Sequence, residues 1–349
     1  MSPSPSRGRQ SQGAETAALP LSLPVPPALP GRILPEFAVP CMGPFDHPDF
    51  QFSIDWDGSR CLLFTSSQGV RLQSETLADV SDAYPEIVAA AQLLTQSAAV
   101  LDGVIAVLDP YGCPDLAALG ERMALGPASQ QRLPTVFLAT DLLHLDGQAT
   151  MTLPLEQRLE LLRGLGRATP RIQVPDWVGG EGEALGEAAA ARHLSALLAR
   201  RSGARYHPGL ASRDRLRIQL RPRASCVVVA AERVLFAGVR RRGLHLAEHH
   251  GARMEECATV EIPESSTMWR WAAPGGRLRS PLIATVEHTG RTPEGRLRRP
   301  SLLTLRDDID PRWCIRREPV APPPSRAVAA HGFRPTVLAA LPLDVSSSL

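Results

Sequence analysis

The densest group of residues able to do chemistry is Ile54-Asp55-Trp56-Asp57-Gly58-Ser59-Arg60, which leads directly into the apolar run Cys61-Leu62-Leu63-Phe64. Two carboxylates, an indole and a guanidinium share a turn that feeds a buried strand, a place where an α/β or α+β enzyme often keeps its reacting groups. A carboxylate here can in principle attack phosphorus. The arginine can hold a phosphate through its bidentate fork.

The 38 positions counted as Lys or Arg are all arginine, and the chain contains no lysine. Arginine binds phosphate but keeps its proton, whereas lysine can lose one and attack phosphorus or carbonyl carbon. Lysine-based covalent chemistry is therefore excluded. The six cysteines, Cys41, Cys61, Cys113, Cys226, Cys257 and Cys314, stand singly. That spacing fits buried reduced thiols better than a disulfide framework or a zinc site. His245 and His249 lie four apart, with His250 beside them, but no acid or cysteine completes a metal set, so solvated histidines are expected and no metal site is assigned.

At 349 residues two domains are expected. No apolar stretch is long enough to cross a bilayer, and Pro and Ser interrupt the N-terminal segment where a signal would need its apolar core. A cytoplasmic monomer without a membrane partner is expected. The net charge of +2 implies no nucleic-acid partner by itself, so local clusters must carry that argument.

Residues 1–32 are rich in Pro, Ser and Gly and are expected as a disordered arm, with a similar tail over 317–349. Gln51 to Phe64 reads as a hairpin or strand-turn-strand, and Val70 to Gln73 as a strand. Tyr84 to Leu94 and Leu155 to Leu165 carry helical spacing. Val100 to Leu108 and Val136 to Leu145 read as strands, with Asp102-Gly103 and Asp146-Gly147 as turn pairs. Ala188 to Ala199 is expected as a helix running into or beside a strand, and Leu216 to Leu220 as a strand. After Pro222 come five short strands, Cys226–Ala230, Val234–Val239, Ala258–Ile262, Leu282–Glu287 and Leu302–Leu305, which suit a small barrel of oligonucleotide-binding type.

Six blocks recur in an order seen elsewhere: Asp55-Trp56-Asp57-Gly58-Ser59-Arg60; Leu101-Asp102-Gly103-Val104; Asp141-Leu142-Leu143-His144-Leu145-Asp146-Gly147; Ser195-Ala196-Leu197-Leu198-Ala199-Arg200; Leu216-Arg217-Ile218-Gln219; and Arg296 to Pro300 with Leu305-Arg306-Asp307-Asp308. Across about residues 35–315 the chain thereby resembles the ATP-dependent DNA ligases, most closely the ligase module of bacterial non-homologous end-joining ligases. The resemblance implies an α+β fold: a nucleotidyltransferase (adenylation) domain over 33–222, then an OB-fold β-barrel over 223–316. It also implies a lysine that attacks the α-phosphate of ATP, with divalent metal, before AMP passes to a DNA 5′-phosphate.

Each departure from the family pattern falls on a group of that mechanism. Asp55 stands at the nucleophile, Val104 and Ser195 replace acids that would hold Mg²⁺, and Thr140 replaces a stacking Phe. Arg200, Arg217, Gln219 and Ile309 take lysine positions, and Glu75 takes that of an arginine. Asp57, Gly58 and Arg60 complete the inherited nucleotide pocket. No cofactor is assigned; ATP and Mg²⁺ are implied only if the family activity persists. Arg240, Arg241, Arg242, Arg296, Arg298, Arg299 and Arg306, together with Arg277 and Arg279, could follow a phosphate backbone, and Trp269 and Trp271 could stack on bases or fill a core. The expected function is a catalytically degenerate ligase homologue that binds nicked or broken DNA or repair proteins. An enzyme with a non-lysine nucleophile and a protein-interaction scaffold are the alternatives.

Overall fold

The structure is a computed structural model and describes residues 29–92, 98–165, 169–236, 239–262, 281–316, 320–324 and 326. Trp269, Trp271, Arg277 and Arg279, and most of both terminal arms, lie outside the described residues. In chain order the elements are β1 (Phe37–Cys41), β2 (Asp46–Ile54), β3 (Ser59–Ser66), β4 (Gly69–Ser74), α1 (Pro85–Gln92), β5 (Ala99–Val107), α2 (Leu116–Leu125), β6 (Thr135–Leu145), β7 (Gln148–Ala149) and α3 (Leu155–Gly164). They continue with β8 (Ile172–Gln173), β9 (Val178–Glu181), α4 (Gly182–Ala191), β10 (Ala196–Arg201), β11 (Ala211–Gln219), β12 (Arg223–Phe236), β13 (Val239–His250), β14 (Arg253–Glu261), β15 (Ile283–Glu287) and β16 (Ser301–Arg306).

The strands form three sheets, with orders β1-β11-β10-β2-β9, β4-β3-β5-β6-β7 and β14-β13-β12-β15-β16; β8 lies beside β6. α1 and α3 bury Ile87, Leu155, Leu159 and Leu162 against Leu63, Leu101 and Phe137 of the second sheet. α4 sends Leu185 and Ala189 onto Phe50, Phe52 and Leu197 of the first. The last sheet is antiparallel throughout, and its edge strands β14 and β16 touch, so it curls around its own core of Cys226, Leu246, Val260 and Val286. α2 joins this sheet to the rest through Leu116 and Leu119 against Leu303.

Several expectations change. Of the two readings of Gln51 to Phe64, strand-turn-strand holds and the hairpin does not: β2 pairs with β10 and β9 in the first sheet, β3 with β4 and β5 in the second, so 55–58 is a crossover between sheets. Asp102-Gly103 is not a turn but mid-strand β5. A Cβ on Gly103 would stand 2.5 Å from the Leu138 carbonyl oxygen and 2.6 Å from the Phe137 ring, so the glycine admits β6 at close approach. The expected helix over 188–199 divides into α4, which ends at Ala191, and the buried strand β10. The second expected barrel strand, Val234–Val239, is divided between two strands: Val234–Phe236 end β12 and Val239 begins β13, paired with Phe236, and His245 and His249 lie on the unforeseen strand β13. The segment after 316 is tied down in part, because the Val320 N–H donates to Pro40 O at 2.9 Å and Val320 bridges Cys41.

Candidate functional site

The crossover 55–58 opens onto a cavity of about 570 Å³ walled by all three sheets. Asp55, Trp56, Asp57 and Gly58 line its mouth, with Arg60 on β3 and Val104 opposite it on β5. β11 supplies Arg215, Arg217 and Gln219, and the last sheet with its loops supplies Arg223, Glu248, His288, Arg291 and Arg306. A Cβ on Gly58 would stand 2.4 Å from Ile105 O, which is why the crossover can press against β5.

The carboxylates at the mouth are already engaged. Arg217 Nε donates to Asp55 Oδ2 at 2.5 Å across 162 residues of sequence. Arg223 Nη1 donates to Asp57 Oδ2, and its Nε lies 3.6 Å from Glu287. Burial works against the charge on Arg217, but Asp55 beside it holds its proton on more tightly than usual. A charge-assisted bond of this kind occupies the lone pairs a nucleophilic carboxylate would need.

A second, deeper pair anchors the floor. Arg60 meets the fully buried Asp102 through two bonds of 2.9 and 2.5 Å, and the Tyr206 hydroxyl donates to the same carboxylate at 2.9 Å. The Glu36 backbone N–H donates to that hydroxyl in turn. Desolvation pushes the Asp102 carboxyl up, yet Arg60 and Tyr206 outweigh it and hold it below the usual range. Asp141 is similarly gripped by Arg158 at 2.8 and 2.9 Å, with Arg200 at 3.6 Å. Burial pushes the Arg200 guanidinium down to about 10.

The closing block docks on the same floor. Arg306 binds Asp308 at 2.8 and 2.6 Å, and the Ser59 hydroxyl donates to Asp308. Glu75 is pushed up to about 7 by burial, with Asp308 adding to the shift. Arg215 is buried and has its Nε and Nη1 without a hydrogen-bond partner among the described residues, Glu36 standing 4.0 Å away.

Seven of the ten pocket residues expected from sequence line this cavity: Asp55, Asp57, Gly58, Arg60, Val104, Arg217 and Gln219. Thr140, Ser195 and Arg200 do not. Thr140 Oγ1 donates to Asp102 O at 3.2 Å, Arg200 donates to Thr140 O at 2.8 Å, and the Ser195 hydroxyl is buried without a partner among the described residues. Arg306 is corrected in placement: it is 8% exposed and committed to Asp308, not on an open surface. Arg240, Arg241, Arg296, Arg298 and Arg299 are exposed and Arg242 half-buried. Arg241 pairs with Glu261 and Arg296 with Glu256, at different points along β14. His245 is half-buried and bonded to Glu232 at 2.8 Å. Arg215, Arg223, His288 and Arg291 were not foreseen, and no local pattern marks them; Tyr206 belongs to the run Tyr206-His207-Pro208-Gly209 that follows the Ser195–Arg200 block.

These residues do not fit magnesium and a triphosphate as the resemblance implies. At position 55, where the resemblance implies an amine, stands a carboxylate engaged by Arg217; Val104 offers no side-chain oxygen, and Ser195 lies off the cavity wall. Asp55 and Asp57 tie up Arg217 and Arg223, which are then not free to hold phosphate.

Residues 40–218 match the family model for the ATP dependent DNA ligase domain. The chain is 30% identical over 292 residues to the multifunctional non-homologous end joining DNA repair protein LigD of Mycobacterium tuberculosis, covering 76% of this chain and 37% of that protein. It is 23% identical over 270 residues to the SPbeta prophage-derived DNA ligase-like protein LigB of Bacillus subtilis, covering 75% and 95%. The solved structure of mycobacterial DNA ligase D complexed with ATP and MES aligns with a TM-score of 0.62 at 26% identity, covering 82% of this chain and 99% of that one. The chain spans little more than a third of the length of the mycobacterial protein it matches. On the family match and the shared architecture, this chain belongs to the ATP-dependent DNA ligase family.

Proposed function

We propose that this chain is a DNA-binding member of its family that forms no covalent nucleotide intermediate, serving an accessory role in repair of nicked or broken duplex. The observation that carries the reading is the Asp55–Arg217 pair in a chain without lysine: the attacking position holds an acid, and that acid is occupied by a cation. The division into an adenylation-like domain over 33–222 and an OB-type barrel over 223–316 belongs to the same proposal. In it, the exposed arginines at 240–241 and 296–299 track phosphates.

Incubation of the pure chain with labelled ATP and Mg²⁺ or Mn²⁺ tests the catalytic half. No covalent label and no sealing of a nick are expected. A hydroxylamine-labile adduct overturns the reading in favour of Asp55 as nucleophile. Binding to nicked duplex tests the other half: about four phosphate contacts would cost roughly a hundredfold in affinity between ~50 and ~200 mM salt. Absence of binding at the lower salt favours a protein-interaction scaffold.

A further inference from the structure

The core of the last sheet holds a cluster that the cavity chemistry does not use. Cys226 on β12 and Cys257 on β14 are far apart in sequence, yet their sulfurs lie 3.5 Å apart. Glu248, on the intervening strand β13, brings a carboxylate oxygen to the same point, and the three ligand atoms lie within 4.8 Å of one another. All three residues are buried, at 0, 4 and 4% exposure for Cys226, Cys257 and Glu248. Cys257 owes its inward direction to a β-bulge, since Ala247 pairs with Glu256 and Leu246 with Ala258, leaving Cys257 as the extra residue.

We propose that Cys226, Cys257 and Glu248 form a binding site for a borderline-soft divalent cation of the zinc class. Two thiolates and a carboxylate are the donor set such an ion prefers over magnesium or calcium. Sulfurs each about 2.3 Å from a tetrahedral ion stand roughly 3.8 Å apart. The observed separation needs a change of only a few tenths of an ångström. A disulfide would have to close to about 2.05 Å, a movement of about 1.5 Å inside a packed core.

Charge and surroundings agree with the assignment. Arg291 holds both Glu248 oxygens, at 2.7 and 2.9 Å, and a carboxylate has about four lone-pair positions, so room for a metal remains. Two thiolates, one carboxylate, a divalent ion and one guanidinium sum to zero, which is what a buried site requires. Arg291 thereby acts on the ion through Glu248, as outer partners of metal ligands do. Glu248 also lines the cavity, together with His288, which offers the ion an entry path from that side.

The test uses the full chain, reduced and stripped with a chelator, titrated with Co²⁺ alone. One equivalent is expected to produce a near-ultraviolet thiolate-to-cobalt charge-transfer band that Zn²⁺ bleaches. Cys226→Ser and Cys257→Ser are each expected to lose the band, and Cys113→Ser, outside the cluster, to keep it. Glu248→Gln retains both thiols and is expected to keep a band with at least tenfold weaker affinity, which preserves a readout if a Cys variant fails to fold. Absence of the band in the reduced wild-type chain, or its survival in both Cys variants, overturns the proposal. So does an unchanged affinity in Glu248→Gln, or a ready Cys226–Cys257 disulfide in the isolated protein.

Discussion

Asp55→Lys places at that position the residue type that the resemblance implies there, and the structure says what should follow. Asp55 and Arg217 are 26% and 30% exposed, so their pair lies between two measured regimes. Exposed pairs are worth about 0.2–1 kcal/mol, whereas stranding one partner of a buried pair costs about 3–5. Asp57 remains near Arg217 as a second acid, which favours a middle value of about 2 kcal/mol for the lost attraction. A second cation adds repulsion of at most about 4 kcal/mol at roughly 4 Å and an effective dielectric of about 20. Two flexible side chains relieve most of it by separating. The total expected loss is therefore about 3–4 kcal/mol. The charge-swapped double variant Asp55→Lys with Arg217→Asp is expected to recover about 2 kcal/mol of it. Urea unfolding of the four members of this double-mutant cycle gives the coupling directly. A loss below about 1 kcal/mol, or no recovery in the swap, refutes the reasoning that this pair organises the mouth. Covalent labelling of Asp55→Lys by ATP refutes the wider reading, because Val104 and Ser195 should still leave the site without metal ligands.

Gly103→Ala is expected to destabilise by about 2–4 kcal/mol in the same assay, since its Cβ meets backbone and a packed ring that cannot withdraw. Burial pushes the Glu36 carboxyl from its ordinary value up to about 7, with Arg215 opposing, so the folded state binds that proton more tightly than the unfolded chain. Its contribution is then full below about pH 4.5 and is lost as pH rises through about 7. Glu36→Gln should flatten the stability profile over that window by about 1–3 kcal/mol. Replacing Arg240 and Arg241 together by Gln should weaken nicked-duplex binding similarly for all sequences and reduce the salt slope by about 2, measured by fluorescence anisotropy.

Much of the second sheet was legible because its signals are local. β4 and β6 follow apolar strand patterns, α1 and α3 follow helical spacing, and Asp146-Gly147 closes the β6–β7 turn as its composition indicates. The errors have physical causes as well. A strand buried on both faces loses its alternation, so the boundary between α4 and β10 within 188–199 was not legible. Asp102-Gly103 has the composition of a turn, but tertiary pairing to Arg60 and close approach of β6 hold it extended. The long β12–β13 ribbon was misdivided because its outer half is polar and exposed, with no core face to set a period.

What the sequence by itself determined is a matter of composition and order: no lysine can attack, and the six blocks that carry the family follow one another in register. What only the tertiary structure decided is where each charge goes. Asp55 finds Arg217 and Asp57 finds Arg223 from 162 and 166 residues away, and Cys226 meets Cys257 and Glu248 across three strands of a curled sheet. Such pairings depend on how sheets cross and curl, which local periodicity does not encode. The acid at position 55 looks free in the sequence and is held in the fold.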